Sequence, residues 1–451
     1  MKNKMLILIL FSIVTARAQE NVLDYYIRQG LESNLSLQQK QLSYEKSLAI
    51  LKEAKGMFFP DISFNARYSV AEGGRVIDFP IGDIMNPVYT TLNQIIQQDK
   101  FPMIQNEEVP FLRPTEQETK ISLVQPIIQP EILYNYRIRE DLSQAEAVGV
   151  DVYKRELVAE IKNAYLNYLQ SLASINIYEE SLELVQENLR TNKSLYHNDK
   201  VTIDVVYRAE AEVSKVQQMI TEAEKNRESS AAYFNFLLNK PLESTIDEMS
   251  FEDFMVKIGN IKHYEEQALK KREELIQLQH MKDATKQSIK LNKSAYYPSL
   301  IAAVDYGIQG EEYRFTDEDD YVLASLVMKW NLFKGKQKSA KVQQARIDAQ
   351  ILDQKNQELK QQINLQVVES YYDLIASGKD IEVSKDEAEA ARKAFRLVNK
   401  KYKQGQASLV EFMDARNSLT QSEINHNIKK YEYLKSYANF ERITGQYEFN
   451  Q

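Results

Sequence analysis

Cysteine is absent from the 451-residue chain. That excludes a disulfide framework, thiolate metal sites and a lipidated N-terminal cysteine. Glycine and proline are sparse, at 13 and 10 residues, while Gln, Lys, Glu and Leu abound, a balance that suits long helices rather than compact sandwiches. Beyond Val14 no apolar run approaches the roughly 18 residues that a membrane-spanning helix needs. Strands are the only membrane-crossing option left. The four histidines lack HExxH-type spacing, and G-x-S-x-G, a glycine-rich phosphate loop and a G-x-G-x-x-G after a strand are all missing. Nothing supports an enzyme, a metal or a cofactor. The formal net charge of −8, without a basic stripe interleaved with aromatics, excludes a nucleic-acid surface.

What is there begins with Lys2 and Lys4, an apolar run from Met5 to Val14, and the small-x-small sequence Ala16-Arg17-Ala18. This is a secretory signal peptide, residues 1–18, and the mature chain should start near Gln19. An exported chain without disulfides points to a bacterial envelope. Residues 19–57 read as a helix, with Leu31, Leu35, Leu42 and Leu48 broadly on helical spacing, stopped at Phe58-Phe59-Pro60. The segment 61–70 alternates, with Ile62, Phe64, Ala66, Tyr68 and Val70 on one face and Asp61, Ser63, Asn65, Arg67 and Ser69 on the other. Such a length suits a tilted membrane-barrel strand, and equally an edge strand of a soluble sheet. Residues 71–118 read as a long irregular loop with a short helix around 88–99, and 120–128 as a second strand. From 129 to 240 runs a very long helix to about His197, a reversal, and a shorter return helix ended by Pro241. At ~1.5 Å per residue the first of these reaches roughly 100 Å. Residues 241–262 read as a small lateral insert.

The plan then repeats. A shift of 238 matches Leu37 to Leu275, Lys52 to Lys290, Pro60 to Pro298 and Tyr68 to Tyr306. The second copy comprises a helix (263–295), a strand pair (296–333, strands at 299–309 and 321–333 around the acidic loop 316–320), a helical hairpin (334–445) and a tail (446–451). Ser122 matches Ser325 at a shift of 203, so the first strand loop is longer by the difference between 238 and 203, or 35 residues. Thereafter the shift holds at 206, pairing Tyr165 with Tyr371, Tyr196 with Tyr402 and Phe234 with Phe440. Ordered offsets that change only at loops describe one internal duplication, and two copies are too few for a solenoid. The expected fold is mainly α with a small membrane β part, a duplicated helix-strand-strand-helix-helix unit.

Four strands leave two open edges, which lipid does not tolerate, and the smallest transmembrane barrels close with about eight strands. Two chains would give about eight strands and a filled lumen; three would give about twelve and a passage. With its signal peptide, duplicated order, aromatic-aromatic-Pro junctions and two helical tips, the chain resembles the TolC-type outer-membrane efflux protein family over essentially all of residues 20–450. The resemblance implies a homotrimer sharing a twelve-stranded barrel in the outer-membrane lipid of a Gram-negative cell. It also implies a trimeric helical barrel in the periplasm with an equatorial region, and strand loops 71–118 and 310–320 facing outside. The implied function is a passive exit duct for small molecules or secreted polypeptides. A periplasmic adaptor and an inner-membrane transporter would be its partners. A reading from another class is a periplasmic coiled-coil scaffold or adaptor with a small soluble sheet.

Residues 196–210 and 402–416 read as the two tips. Ser408 with Glu411 forms a capping-box signature, Thr202 stands at the matching place, and Gly405 supplies a left-handed C-cap. By position Glu411 resembles the family's acidic gate, with Asp414 one turn further and Asp204 in the first tip. A ring of carboxylates around a narrow mouth attracts cations, and their mutual repulsion raises their pKa values, which makes closure pH-responsive. The bland readings are a capping residue and solvated helix faces. Val201, Thr202, Ile203, Gln406, Ala407, Leu409 and Val410, with Gly405 and Ser408, resemble the family's docking surface for an adaptor hairpin, against ordinary packing within each hairpin. Ala407 stands where the family often has a basic partner. Phe58, Phe59, Tyr296, Tyr297 and Trp330 read as an aromatic girdle at a membrane interface, or as core residues at helix–strand junctions.

Overall fold

The computed structural model describes residues 22–249, 256–314, 316 and 318–447. The signal peptide, the middle of the insert, Asp317 and the end of the tail lie outside the described residues. Two compact units divide the chain.

One unit, residues 49–140 and 283–349, holds the six strands found among the described residues: β1 (Asp61–Val70), β2 (Val76–Phe79), β3 (Glu107–Pro110), β4 (Thr115–Ile128), β5 (Ser299–Gly310) and β6 (Asp320–Lys329). The order β1-β4-β5-β6 makes one antiparallel four-stranded sheet. Alternation sorts its side chains by face. Pairing aligns Phe64, Ile121, Tyr306 and Val322 in one row, and Ile62, Leu123, Val304 and Ala324 in the next. Apart from Asp320 at the start of β6, this face carries no charged side chain. It is nonetheless open, with Phe64 70 % and Val322 69 % exposed. The opposite face carries Arg67, Glu118, Lys120 and Asp305. There Lys120 Nζ lies 3.1 Å from Glu118 and 3.2 Å from Asp305, and Tyr321 donates to Glu118 at 3.0 Å. Gly307 sits where β5 lies close against β4, and a Cβ there would stand 2.4 Å from the Thr119 carbonyl oxygen. Any side chain there would force β5 away from β4.

The long loop between β1 and β4 has more order than its sequence suggests. It contains the β2–β3 hairpin and helix α3 (Ile81–Ile96), which starts earlier than the helix expected around 88–99. Three asparagines hold the return strap to α3. Asn86 exchanges two hydrogen bonds with the Ile104 backbone at 2.9 Å. Asn93 binds the Phe101 carbonyl and two backbone amides, and Asn106 takes the amide of Asp83 and donates to its carboxylate.

The second unit, the described residues up to 48 with 141–282 and 350–447, is helical. Helices α4 (Pro130–His197) and α5 (Ile203–Leu237) form one hairpin, α8 (Gln337–Lys403) and α9 (Leu409–Thr444) the other. The opening helix is not continuous: α1 (Val22–Ser33) and α2 (Leu35–Gly56) meet at Asn34, and α6 (Ile261–Lys271) and α7 (Glu273–Ser294) meet at Arg272, its match at a shift of 238. Each break feeds a return-helix end. Asn34 caps α2 by accepting from the Leu37 amide and donates to the Leu237 carbonyl at 2.9 Å. Arg272 donates to the Ile443 carbonyl at 3.3 Å, and Leu237 and Ile443 are themselves matched at a shift of 206. Orphan carbonyls at a helix end need such partners.

The core repeats likewise. Tyr26, Tyr165 and Phe234 pack with centroids 5.0–5.8 Å apart; Tyr264, Tyr371 and Phe440 pack at 4.8–6.5 Å. Each tyrosine pair grips the backbone of one insert residue. Tyr26 Oη accepts the Asp247 amide and Tyr165 Oη donates to its carbonyl, both at 2.8 Å. Tyr264 Oη accepts the Gly259 amide at 3.1 Å, and Tyr371 Oη donates to its carbonyl at 3.2 Å. Burial pushes the Tyr26 and Tyr165 hydroxyls up from the ordinary phenol value, so both remain protonated.

Candidate functional site

The two tips share a backbone and differ in side chains. In the second, Gly405 (φ 71°) closes α8 with Gln406 N–H on the Lys401 carbonyl at 2.8 Å and Gly405 N–H on that of Tyr402 at 2.9 Å. This is the paired-bond C-cap that favours glycine. In the first, Asp199 (φ 55°) occupies the same place, with Lys200 N–H on Leu195 and Asp199 N–H on Tyr196. An aspartate tolerates the left-handed region better than most side chains.

Beyond the turns the caps diverge. Ser408 Oγ accepts the Glu411 amide at 3.2 Å, and Glu411 Oε2 accepts the Ser408 amide at 2.7 Å, a complete capping box. Thr202 makes no such bond to its helix and donates instead to Asp204 Oδ1. The Ser408 amide, followed by its hydroxyl, holds the Glu411 carboxyl below its ordinary range. With a folded pKa below the unfolded one, that contribution is complete above the ordinary carboxylate range and is lost as pH falls through the lowered value. Ser408→Ala should open the first turn of α9 by about 1 kcal/mol, read as faster hydrogen exchange at the Glu411 amide. Unchanged exchange would contradict the box.

Glu411, Asp414 and Asp204 are all exposed, with Arg208 Nε 3.9 Å from Asp204. Leu409 is half-buried against Phe395 and Phe412, whereas Val410 and Ile203 stand exposed. Val201 and Ala407 are half-buried; Thr202, Gln406 and Ser408 are exposed. So Leu409 belongs to hairpin packing, and Val410 and Ile203 are aliphatic residues that the tips present outward, with Tyr196 and Tyr207 beside them in the first. Phe58, Phe59, Tyr296, Tyr297 and Trp330 are all exposed at strand ends. Trp330 Nε1 donates to the Tyr296 carbonyl at 3.0 Å, and Phe58 packs edge-on against Tyr136.

Sequence reasoning missed a buried polar cluster behind the tips. Arg416 on α9 is 2 % exposed. It pairs with Glu212 on α5 and reaches Ser181 Oγ on α4 at 3.3 Å, while Thr420 Oγ1 also donates to Ser181. Burial pushes the guanidinium pKa down, and Glu212 opposes that shift. Tyr402 on α8 donates to the buried Asn192 of α4 at 2.9 Å. The two hairpins are thus joined by polar contacts that register them.

Residues 265–446 match the sequence model of a family described as outer membrane efflux protein. The fold of nearly the whole chain is similar to that of solved outer-membrane proteins. The open-state MtrE outer membrane channel of Neisseria gonorrhoeae is 16 % identical, with a TM-score of 0.75 over 94 % of this chain and 88 % of that one. The CmeC outer membrane channel of Campylobacter jejuni is 14 % identical, TM-score 0.76, over 94 % and 86 %. The outer membrane protein VceC of Vibrio cholerae is 12 % identical, TM-score 0.74, over 94 % and 96 %. The search of curated proteins gives no match. The resemblance to TolC-type efflux proteins therefore holds. Among the described residues no helix is long and apolar enough to cross a membrane.

Proposed function

We propose that the chain is the outer-membrane channel of an efflux or secretion system, three copies sharing a twelve-stranded barrel. The single observation that carries this reading is the sheet: an exposed face of mostly aromatic and aliphatic side chains, charged only at Asp320 where β6 starts, backed by a charged face. Water would bury that outer face and lipid would leave it bare. The two edges support more than one copy. Neighbouring strands alternate in direction across β1-β4-β5-β6, so β6 of one copy meets β1 of the next antiparallel and the series closes. The alternative of a soluble sheet in a periplasmic scaffold would require that apolar face to be covered by protein.

In this reading the tips form the inner mouth, with a periplasmic adaptor seated on Ile203, Val410 and their neighbours, and energy supplied by an inner-membrane transporter. Glu411 serves twice, as cap of α9 and, with Asp414 and Asp204, as part of an acidic constriction. The capping bonds to Ser408 hold the Glu411 carboxyl below its ordinary range, so Glu411 keeps its charge at neutrality. Glu411→Ala with Asp414→Ala should relieve divalent-cation block of planar-bilayer conductance by about an order of magnitude. Block that persists unchanged would remove the gate assignment.

A further inference from the structure

The strand unit contains a cavity of about 540 Å³ whose lining includes Lys329, Lys334, Lys338 and Lys341. We propose that this cavity is a lumenal binding site for carboxylate- or phosphate-bearing solutes, and that it biases the channel towards anionic cargo. The inference rests on the channel reading above and deepens it.

The first argument is placement. Ser299 and Lys329 both line the cavity and are paired across β5 and β6. Counting by twos along the strands puts them on the face of Asp305, Lys120 and Tyr321, the charged face that a barrel turns inward. Trp330, one residue on, falls on the apolar side, where its Nε1 reaches Tyr296. The cavity therefore opens to the lumen rather than to lipid.

The second argument is charge. Among the described residues none of the four lysines makes an ion pair; Lys338 donates to the Asn331 carbonyl and lies 5.3 Å from the Tyr296 ring centre. The one carboxylate of the lining is Glu131, in the first turn of α4. Helices α4 and α8 both begin in this lining, at Pro130 and Gln337, and free amides at helix starts add positive potential. Solvated lysines in a run along one helix repel little, but four in one concavity raise the local potential and concentrate anions. Four lysines per chain in three chains make a ring of twelve, at the level where strands give way to helices.

Planar-bilayer recordings test this under a salt gradient. The fourfold variant Lys329→Gln, Lys334→Gln, Lys338→Gln and Lys341→Gln should lower the chloride-to-potassium permeability ratio by about 3- to 10-fold, read from the reversal potential. Lys336→Gln, outside the lining, should leave the ratio unchanged. Should the fourfold variant fail to assemble, Lys334→Gln with Lys341→Gln serves. On the wild type, millimolar inorganic phosphate should reduce the chloride current, and the variant should lose that effect. Channels with unaltered selectivity and retained phosphate sensitivity in the variant would overturn the site alone. No conductance from the wild type would overturn the site and the channel reading together.

Discussion

Arg416→Ala should cost the helical unit about 3–5 kcal/mol, because it leaves Glu212 charged, mostly buried and without its partner. Glu212→Ala should cost a similar amount by stranding the guanidinium. The informative variant is the double replacement Arg416→Met with Glu212→Leu. Exchanging a buried ion pair for apolar side chains of similar volume is often neutral or stabilising, so the double variant should come within about 1 kcal/mol of the wild type. The readout is hydrogen exchange of α5 and α9 amides, which reports local opening where a single melting temperature of an assembly does not. Equal losses in the single and double variants would mean that Arg416 acts through shape rather than charge. If hairpin separation is part of opening, the double variant should also open more readily. An apolar contact keeps the helices together without fixing their register as a guanidinium that donates to both Glu212 and Ser181 does.

Phe234→Ala and Phe440→Ala should each cost about 3–5 kcal/mol, the range for deleting a buried ring from a packed core. Both rings are almost fully buried, each against two tyrosines, and each braces hydroxyls that hold one insert residue at both its amide and its carbonyl. The insert should loosen with them. Hydrogen exchange is expected to accelerate at the Asp247 amide in Phe234→Ala and at the Gly259 amide in Phe440→Ala, and in Tyr165→Phe and Tyr371→Phe by a smaller factor from one lost hydrogen bond. Accelerated exchange at one of the two amides only would contradict the equivalence of the two clamps.

The duplication could be read directly because its offsets are constant over helices, and helices tolerate few insertions. Tyr165 with Tyr371 and Phe234 with Phe440 follow from that shift, and so do the apolar rows of the strands, since alternation survives whatever the pairing. The clamps themselves are not legible. Their partners are backbone groups of Asp247 and Gly259, and a sequence says nothing about which amide a hydroxyl will reach. The breaks at Asn34 and Arg272 escape for a different reason. An amide and a guanidinium have no resemblance as residue types, although both donate to the same carbonyl position. Arg416 looks like any of the 57 basic residues until its partner, 204 positions away, is packed beside it. The cavity lysines look like a solvated run until β6 places Lys329 on the charged face. At the tips, Ser408 and Glu411 carry their capping signature openly. Asp199 hides its likeness to Gly405, because only the backbone shows that both are left-handed.

The central claim is that β1 of one copy pairs with β6 of the next until the ring closes on three. With no native cysteine in the way, the direct measurement is disulfide cross-linking in outer-membrane fractions, scanning Ala66→Cys on β1 against Val322→Cys, Ala324→Cys and Leu326→Cys on β6. At the matching register a non-reducing denaturing gel should show a covalent trimer, closed by three identical links. A ladder that stops at the dimer would point to an eight-stranded closure, and recovery of soluble monomer at every register would contradict the account.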